Sequence, residues 1–176
     1  MKILKRIGAI ILGLVVLLLI VALFINKEYT VEKEVVVNKS KEHAFNYVKY
    51  VKNQDSYNKW AMADPDAKKE YKGTDGTVGF IYAWDGNKNI GKGEQEIKNI
   101  EEGHRVDFGL HFIKPFEGSA DAWITTEAVA DNQSKIKWGM HGRSAYPLNI
   151  MNLFIPSVLG KDLQTSLEKL KAVLEK

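Results

Sequence analysis

Cysteine is absent from this 176-residue chain, which excludes a disulfide framework, a thiolate-held metal and a lipidated N-terminal cysteine. Any hold on a membrane must come from apolar sequence. Acidic residues are absent before Glu28; Lys2, Lys5 and Arg6 account for the formal charge of +3, and the remainder carries 22 basic against 22 acidic side chains. Nucleic-acid-binding domains display a basic face. A balanced domain has no surplus from which to build one, so no nucleic-acid partner is expected. Fixed-period repeats and low-complexity tracts are also missing, and the length suits one domain with a sizeable core.

What stands out first is an apolar run from Ile7 to Ile25, interrupted only by Gly8 and Gly13. As a helix it would span roughly 28 Å, close to the hydrocarbon thickness of a bilayer. A cleaved signal peptide fits less well, because the run exceeds a usual h-region and Val21-Ala22-Leu23-Phe24 offers no small-x-small cleavage site. The expected organisation is a basic cytoplasmic segment 1–6, a membrane anchor 7–25 and a single domain 26–176. With Lys2, Lys5 and Arg6 ahead of the run, the positive-inside rule puts the N-terminus in the cytoplasm and the domain in a periplasm or outside the cell. The Lys- and Asn-rich, cysteine-free composition suggests a bacterium.

Beyond the anchor, Tyr29 to Val37 is rich in β-branched residues and reads as a strand. Ser40 can cap a helix from Lys41 to Val51 whose Ala44, Phe45, Val48 and Val51 share one face. A short helical piece over Tyr57 to Trp60 precedes the turn Asp64-Pro65-Asp66. Period-two strands follow at Lys68–Tyr71, Thr77–Trp84, Asn89–Ile100, Arg105–Phe112, Glu117–Val129 and Lys135–Gly142, separated by Gly-, Asn- and Asp-bearing turns. Pro147 to Phe154 reads as one short helix. A last helix from Ser157 to Glu175 carries Leu159, Leu163, Leu167, Leu170 and Leu174 on one stripe. The only large partner for that stripe is the sheet. The fold class is therefore α+β, a curved antiparallel sheet of about seven strands around a long C-terminal helix.

Alternation puts Val78, Phe80, Tyr82 and Trp84 on one face of their strand, Val106, Phe108, Leu110 and Phe112 on another, and Ile136, Trp138 and Met140 on a third. Gly91 and Gly93 share a face with Gln95 and Ile97, opposite Lys92, Glu94, Glu96 and Lys98. If the charged face is wet, the glycines look inward and leave room beneath the helix; the competing role is relief of a tight bend. Tyr82, Trp84, Trp123 and Trp138 carry polar tips that need partners when buried, which favours a mixed, ligand-facing surface.

In order and spacing, Trp60 with Asp64-Pro65, Tyr82-x-Trp84-x-Gly86, Gly91-x-Gly93, Phe112 with Pro115-Phe116, Lys137-Trp138-x-Met140-x-Gly142 and Gly160…Leu167-x-x-Leu170-Lys171…Glu175 resemble the polyketide-cyclase/dehydrase-like branch of the SRPBCC superfamily. These are the START-like, helix-grip proteins. The resemblance covers Tyr29 to Lys176 and implies a β-α-α unit, six more strands and a C-terminal helix around a deep apolar cavity, which in relatives holds lipids, sterols, polyketides or other hydrophobic molecules. It does not imply catalysis. The candidate ligand contacts are Phe80, Tyr82, Trp84, Gly91, Gly93, Gln95, Phe108, Leu110, Trp138, Met140, Leu163 and Leu167. The expected partners are a hydrophobic small molecule or lipid and, through residues 7–25, the membrane.

Reactive chemistry finds little support in the residues. His104 and His111 have opposite parity, His43 sits in a helix and His141 points outward, so no metal site is expected. Asp107 and Glu94 fall on outer faces, while Asp121 lies on a strand that alternates poorly. Ser144 and Ser157 lack a nucleophile elbow. Gly91-Lys92-Gly93 lacks the spacing of a phosphate-binding loop. No catalytic residue and no cofactor is assigned. Two alternatives to a binding domain remain: a cyclase-like or hydrolase-like enzyme using a cavity Tyr or Asp, and a membrane-tethered interaction module using Pro147 to Pro156, a stretch that also suits a lid over the cavity mouth.

Overall fold

Short turns tie the later strands of this chain to one another, and an antiparallel sheet follows directly. The computed structural model describes residues 2–176, so Met1 of the predicted segment 1–6 lies outside it. Helix α1 (Lys2–Phe24) leads into strand β1 (Glu28–Val37), then α2 (Lys41–Val48), a 3-10 turn Val51–Ser56 and α3 (Lys59–Met62). Strands β2 (Lys68–Lys72), β3 (Ile81–Asp85), β4 (Lys92–Glu101), β5 (Arg105–Lys114), β6 (Gly118–Ala130) and β7 (Gln133–Arg143) form a continuous antiparallel meander. A 3-10 helix Leu148–Leu153 and the long helix α4 (Ile155–Leu174) complete the chain. The sheet order is β1-β7-β6-β5-β4-β3-β2, with β1 returning beside β7. This is the expected α+β arrangement of seven strands and a C-terminal helix.

Register divides the sheet into two ends. At one lie the β4–β5 and β6–β7 turns and the close of β1, where Val37 pairs with Ser134. That end is solid: Val37, Phe45, Val48, Ile97, Val106, Ile124, Ile136, Leu167, Leu170 and Leu174 are buried. Burying each such side chain contributes about 1.5–3 kcal/mol. At the other end lie the start of β1, where Glu28 pairs with Arg143, and the β3–β4 and β5–β6 turns. Helix α1 terminates there.

Several boundaries differ from the expectations, each for a local reason. Helix α2 stops at Val48 rather than Val51 because the Asp75 carboxylate accepts from the backbone N–H groups of Val51 (2.9 Å) and Lys52 (3.1 Å), which redirects the chain into the 3-10 turn. Ser40 caps it as expected, accepting from His43 N–H at 3.3 Å. The short helix falls at Lys59–Met62, after Tyr57, because the Asn58 side chain caps it through Trp60 N–H. Strand β3 begins at Ile81 instead of Thr77, since Gly79 at φ +86° breaks the extended run. Val78 consequently faces solvent, whereas Phe80 stays buried through the exchange of Gly79 N–H to Ile97 C=O and Ile97 N–H to Phe80 C=O. Strand β4 starts at Lys92 rather than Asn89. Helix α4 starts at Ile155, two residues before Ser157, with Pro156 suited to its first turn.

Candidate ligand cavity

The hollow end of the sheet encloses a cavity of about 400 Å³, inside the range of roughly 300–1,000 Å³ usual for small-molecule sites. Its floor is built by alternate residues of neighbouring strands: Tyr82 and Trp84 on β3, Gln95 on β4, Phe108, Leu110 and Phe112 on β5, Ala122 on β6, Trp138 and Met140 on β7. Pairing aligns them in rows, such as Tyr82, Gln95 and Leu110 across three strands. The roof is α4 with Ile155, Val158, Leu159 and Asp162, joined by Gln54, Asn58 and Trp60 from the β1–β2 connection. Tyr29, at the start of β1, closes one side. Asn89 and Val158 are exposed and mark the mouth.

Two amides interrupt the apolar walls. Gln54 and Gln95 are both buried, and the Nε2 of each has no hydrogen-bond partner among the described residues. Gln54 Oε1 is held by Asn58 Nδ2 at 3.1 Å, which fixes the amide and turns its N–H groups elsewhere. A buried donor left unsatisfied costs about 1–3 kcal/mol. An acceptor atom beside either amide would relieve that penalty.

The ionisable groups around the cavity are already engaged. Lys69 pairs with Asp55 at 2.9 Å and Lys59 pairs with Asp162. Burial, reinforced by the Asp55 charge, holds the Tyr82 hydroxyl well above the ordinary tyrosine range. Burial also raises Tyr29. Both phenols therefore keep their protons, and what they offer is hydrogen bonding rather than a base.

Of the sequence-predicted contacts, Tyr82, Trp84, Gln95, Phe108, Leu110, Trp138 and Met140 line the cavity together. Phe80, Leu163 and Leu167 are packed into the solid core instead. The glycines do not open space. A Cβ on Gly93 would lie 2.6 Å from both the His111 carbonyl oxygen and the Trp84 ring, so Gly93 seats the indole that forms the wall. Gly91 has φ +64° and abuts the Lys114 carbonyl, serving the β3–β4 turn. Trp123 sits on the outer face, where its Nε1 donates to Glu32 at 2.8 Å and its ring covers Gly139. Sequence reasoning missed Gln54 and Asn58, which lie in irregular chain without periodicity. Phe112 and Leu159 were legible, since both follow the apolar alternation of their elements.

No protein-family model matches the chain, and no curated protein matches it in sequence. Solved structures match its fold. Norcoclaurine synthase from Thalictrum flavum, in complex with dopamine and hydroxybenzaldehyde, superposes with a TM-score of 0.63 at 14% identity, covering 84% of this chain and 86% of its own. Ara h 8.0201 gives 0.61 at 17% identity over 84% of this chain and 97% of that one. The Aha1 dimer structure from Colwellia psychrerythraea gives 0.58 at 15%, covering 84% and 96%. What the chain shares with these structures is the fold, a helix-grip arrangement of a curved seven-stranded antiparallel sheet around a long C-terminal helix.

Proposed function

We propose that the chain is a single-pass membrane protein whose domain, residues 26–176, binds a hydrophobic small molecule or lipid on the periplasmic or extracellular side. The observation that carries the reading is the cavity: apolar walls, two buried amides whose Nε2 atoms have no partner among the described residues, and a lining Lys69 and Asp162 that are both ion-paired. Such a site favours a ligand with a long apolar body and one acceptor-bearing end, gripped by burial of apolar surface and oriented by Gln54 and Gln95. The ion pairing of Lys59, Lys69, Asp55 and Asp162 supports binding over acid/base chemistry. The norcoclaurine synthase structure, holding dopamine and hydroxybenzaldehyde, is an analogy at the level of the fold.

Membrane anchorage is supported by α1. Ile3–Phe24 is long and apolar enough to cross a bilayer, and its side chains are almost all exposed. Lys2, Lys5 and Arg6 at its N-terminal end favour a cytoplasmic N-terminus.

The test is native mass spectrometry of the full chain released from mild detergent, followed by organic extraction and lipid analysis. A stoichiometric hydrophobic passenger, lost in Leu110→Trp, is the expected result. A protein that emerges empty and also ignores fluorescent fatty-acid probes would overturn the reading.

A further inference from the structure

The end of the domain that opens the cavity is also the end that holds α1. The Asn149 side chain is fully buried, and its Nδ2 donates to the carbonyls of Ala22 (2.7 Å) and Ile25 (2.8 Å), the orphan acceptors at the helix C-terminus. Asn152 Nδ2 donates to Asn26 C=O at 2.9 Å, and Ser144 N–H donates to Lys27 C=O at 2.8 Å. Ala22 is buried under this clamp. The 3-10 helix Leu148–Leu153 is therefore docked on α1, and the Tyr146 hydroxyl lies 3.4 Å from Leu19 C=O. Leu19 is five residues short of the helix end, roughly 7.5 Å along its axis.

Around that clamp sits an apolar surface that none of the described residues covers. Leu148, Met151, Leu153, Phe154 and Val158 are exposed, and Phe116 at the tip of the β5–β6 turn is 80% exposed. Strand register brings the β5–β6 turn to the same end as the start of β1. Ile155, Val158 and Leu159 line the cavity immediately after this surface, and Tyr29 lines it five residues beyond α1.

We infer that this surface rests in the bilayer interface, so that the cavity mouth opens onto the membrane and takes up a membrane lipid directly. The inference deepens the binding reading above and rests on it. Because α1 spans and Asn149 fixes its end, the 3-10 helix is carried to a depth set by Tyr146 and Leu19. That depth matches the roughly 5–10 Å reached by interfacial helices. A soluble protein partner could cover the same residues only by displacing the headgroups beside α1.

The absence of native cysteine makes the test direct. Phe116→Cys, Leu153→Cys and, at the opposite end, Val129→Cys are each labelled with a solvatochromic dye in the full chain, reconstituted into phosphatidylcholine vesicles containing some phosphatidylglycerol. The expected result is blue-shifted emission at 116 and 153, quenched by nitroxide-bearing lipid, with neither effect at 129. In parallel, Leu153→Asp with Phe154→Asp should slow capture of a fluorescent phospholipid from vesicles while leaving uptake of a water-soluble short-chain fatty-acid probe unchanged. Water-like emission at 116 and 153 overturns the inference even if the short-chain probe binds, and leaves the binding reading intact. Dyes buried in the bilayer with a cavity that takes up neither probe overturn both.

Discussion

Single side chains here carry consequences that their types alone would not suggest. The Tyr57 hydroxyl is buried between Tyr47 and Trp138 and has no hydrogen-bond partner among the described residues. Tyr57→Phe should therefore leave the fold as stable or stabilise it by about 1 kcal/mol, measured by thermal unfolding of the full chain in detergent. Burial also raises Tyr57 and Tyr82 far above the ordinary value of 10.0. Above that value the unfolded chain releases protons that the folded chain still holds, so stability is full below it and falls as the pH rises past it. Tyr57→Phe should move the onset of alkaline unfolding upward. Gln95→Leu removes another unpartnered amide and should spare the fold, while weakening a ligand with an acceptor end by roughly tenfold in a fluorescence titration. At this scale the sequence was half legible. Alternation found Tyr82, Gln95 and Trp138, whereas Gly93 was misread because its inward direction was visible and the Trp84 ring occupying that direction was not.

Elements were more legible than residues wherever periodicity ran unbroken. The strands from β4 to β7 and the leucine stripe of α4 follow directly from it, and Leu167→Ala should cost about 2–5 kcal/mol because Leu167 is wholly buried. Calorimetric or thermal unfolding would read that loss. Helix α2 ended early because its C-terminus is set by a side chain distant in sequence, the Asp75 carboxylate. No local pattern reveals such a partner. The clamp on α1 belongs to the same class. Asn149→Ala should free the carbonyls of Ala22 and Ile25 and loosen the 3-10 helix, seen as faster hydrogen exchange across residues 144–154 with the sheet unchanged. Equal protection in the variant would show that the asparagine adds nothing to the junction.

In the whole molecule, a solid end and a hollow end share one sheet. The solid end supplies the stability that lets the other stay unfilled, since a cavity of about 400 Å³ forfeits packing that its walls would otherwise gain. Substitutions that fill the hollow end, such as Leu110→Trp, should raise or preserve the melting temperature while removing ligand, a combination that thermal unfolding alongside mass spectrometry would detect. The fold class could be read in advance from strand spacing and the terminal stripe. The division into two ends could not, because it depends on register and on which side chains meet across the sheet.

The join between α1 and β1 sets the working radius of the protein. Three residues separate Phe24 from Glu28; Asn26 C=O and Lys27 C=O are engaged, and the Asn26 side chain accepts from Glu28 N–H at 3.0 Å. A neck so short and so fully bonded gives the domain no leash. With α1 in a bilayer, as proposed, the domain would work as a fixed berth, and any molecule it released outward would have to be collected by something that comes to it.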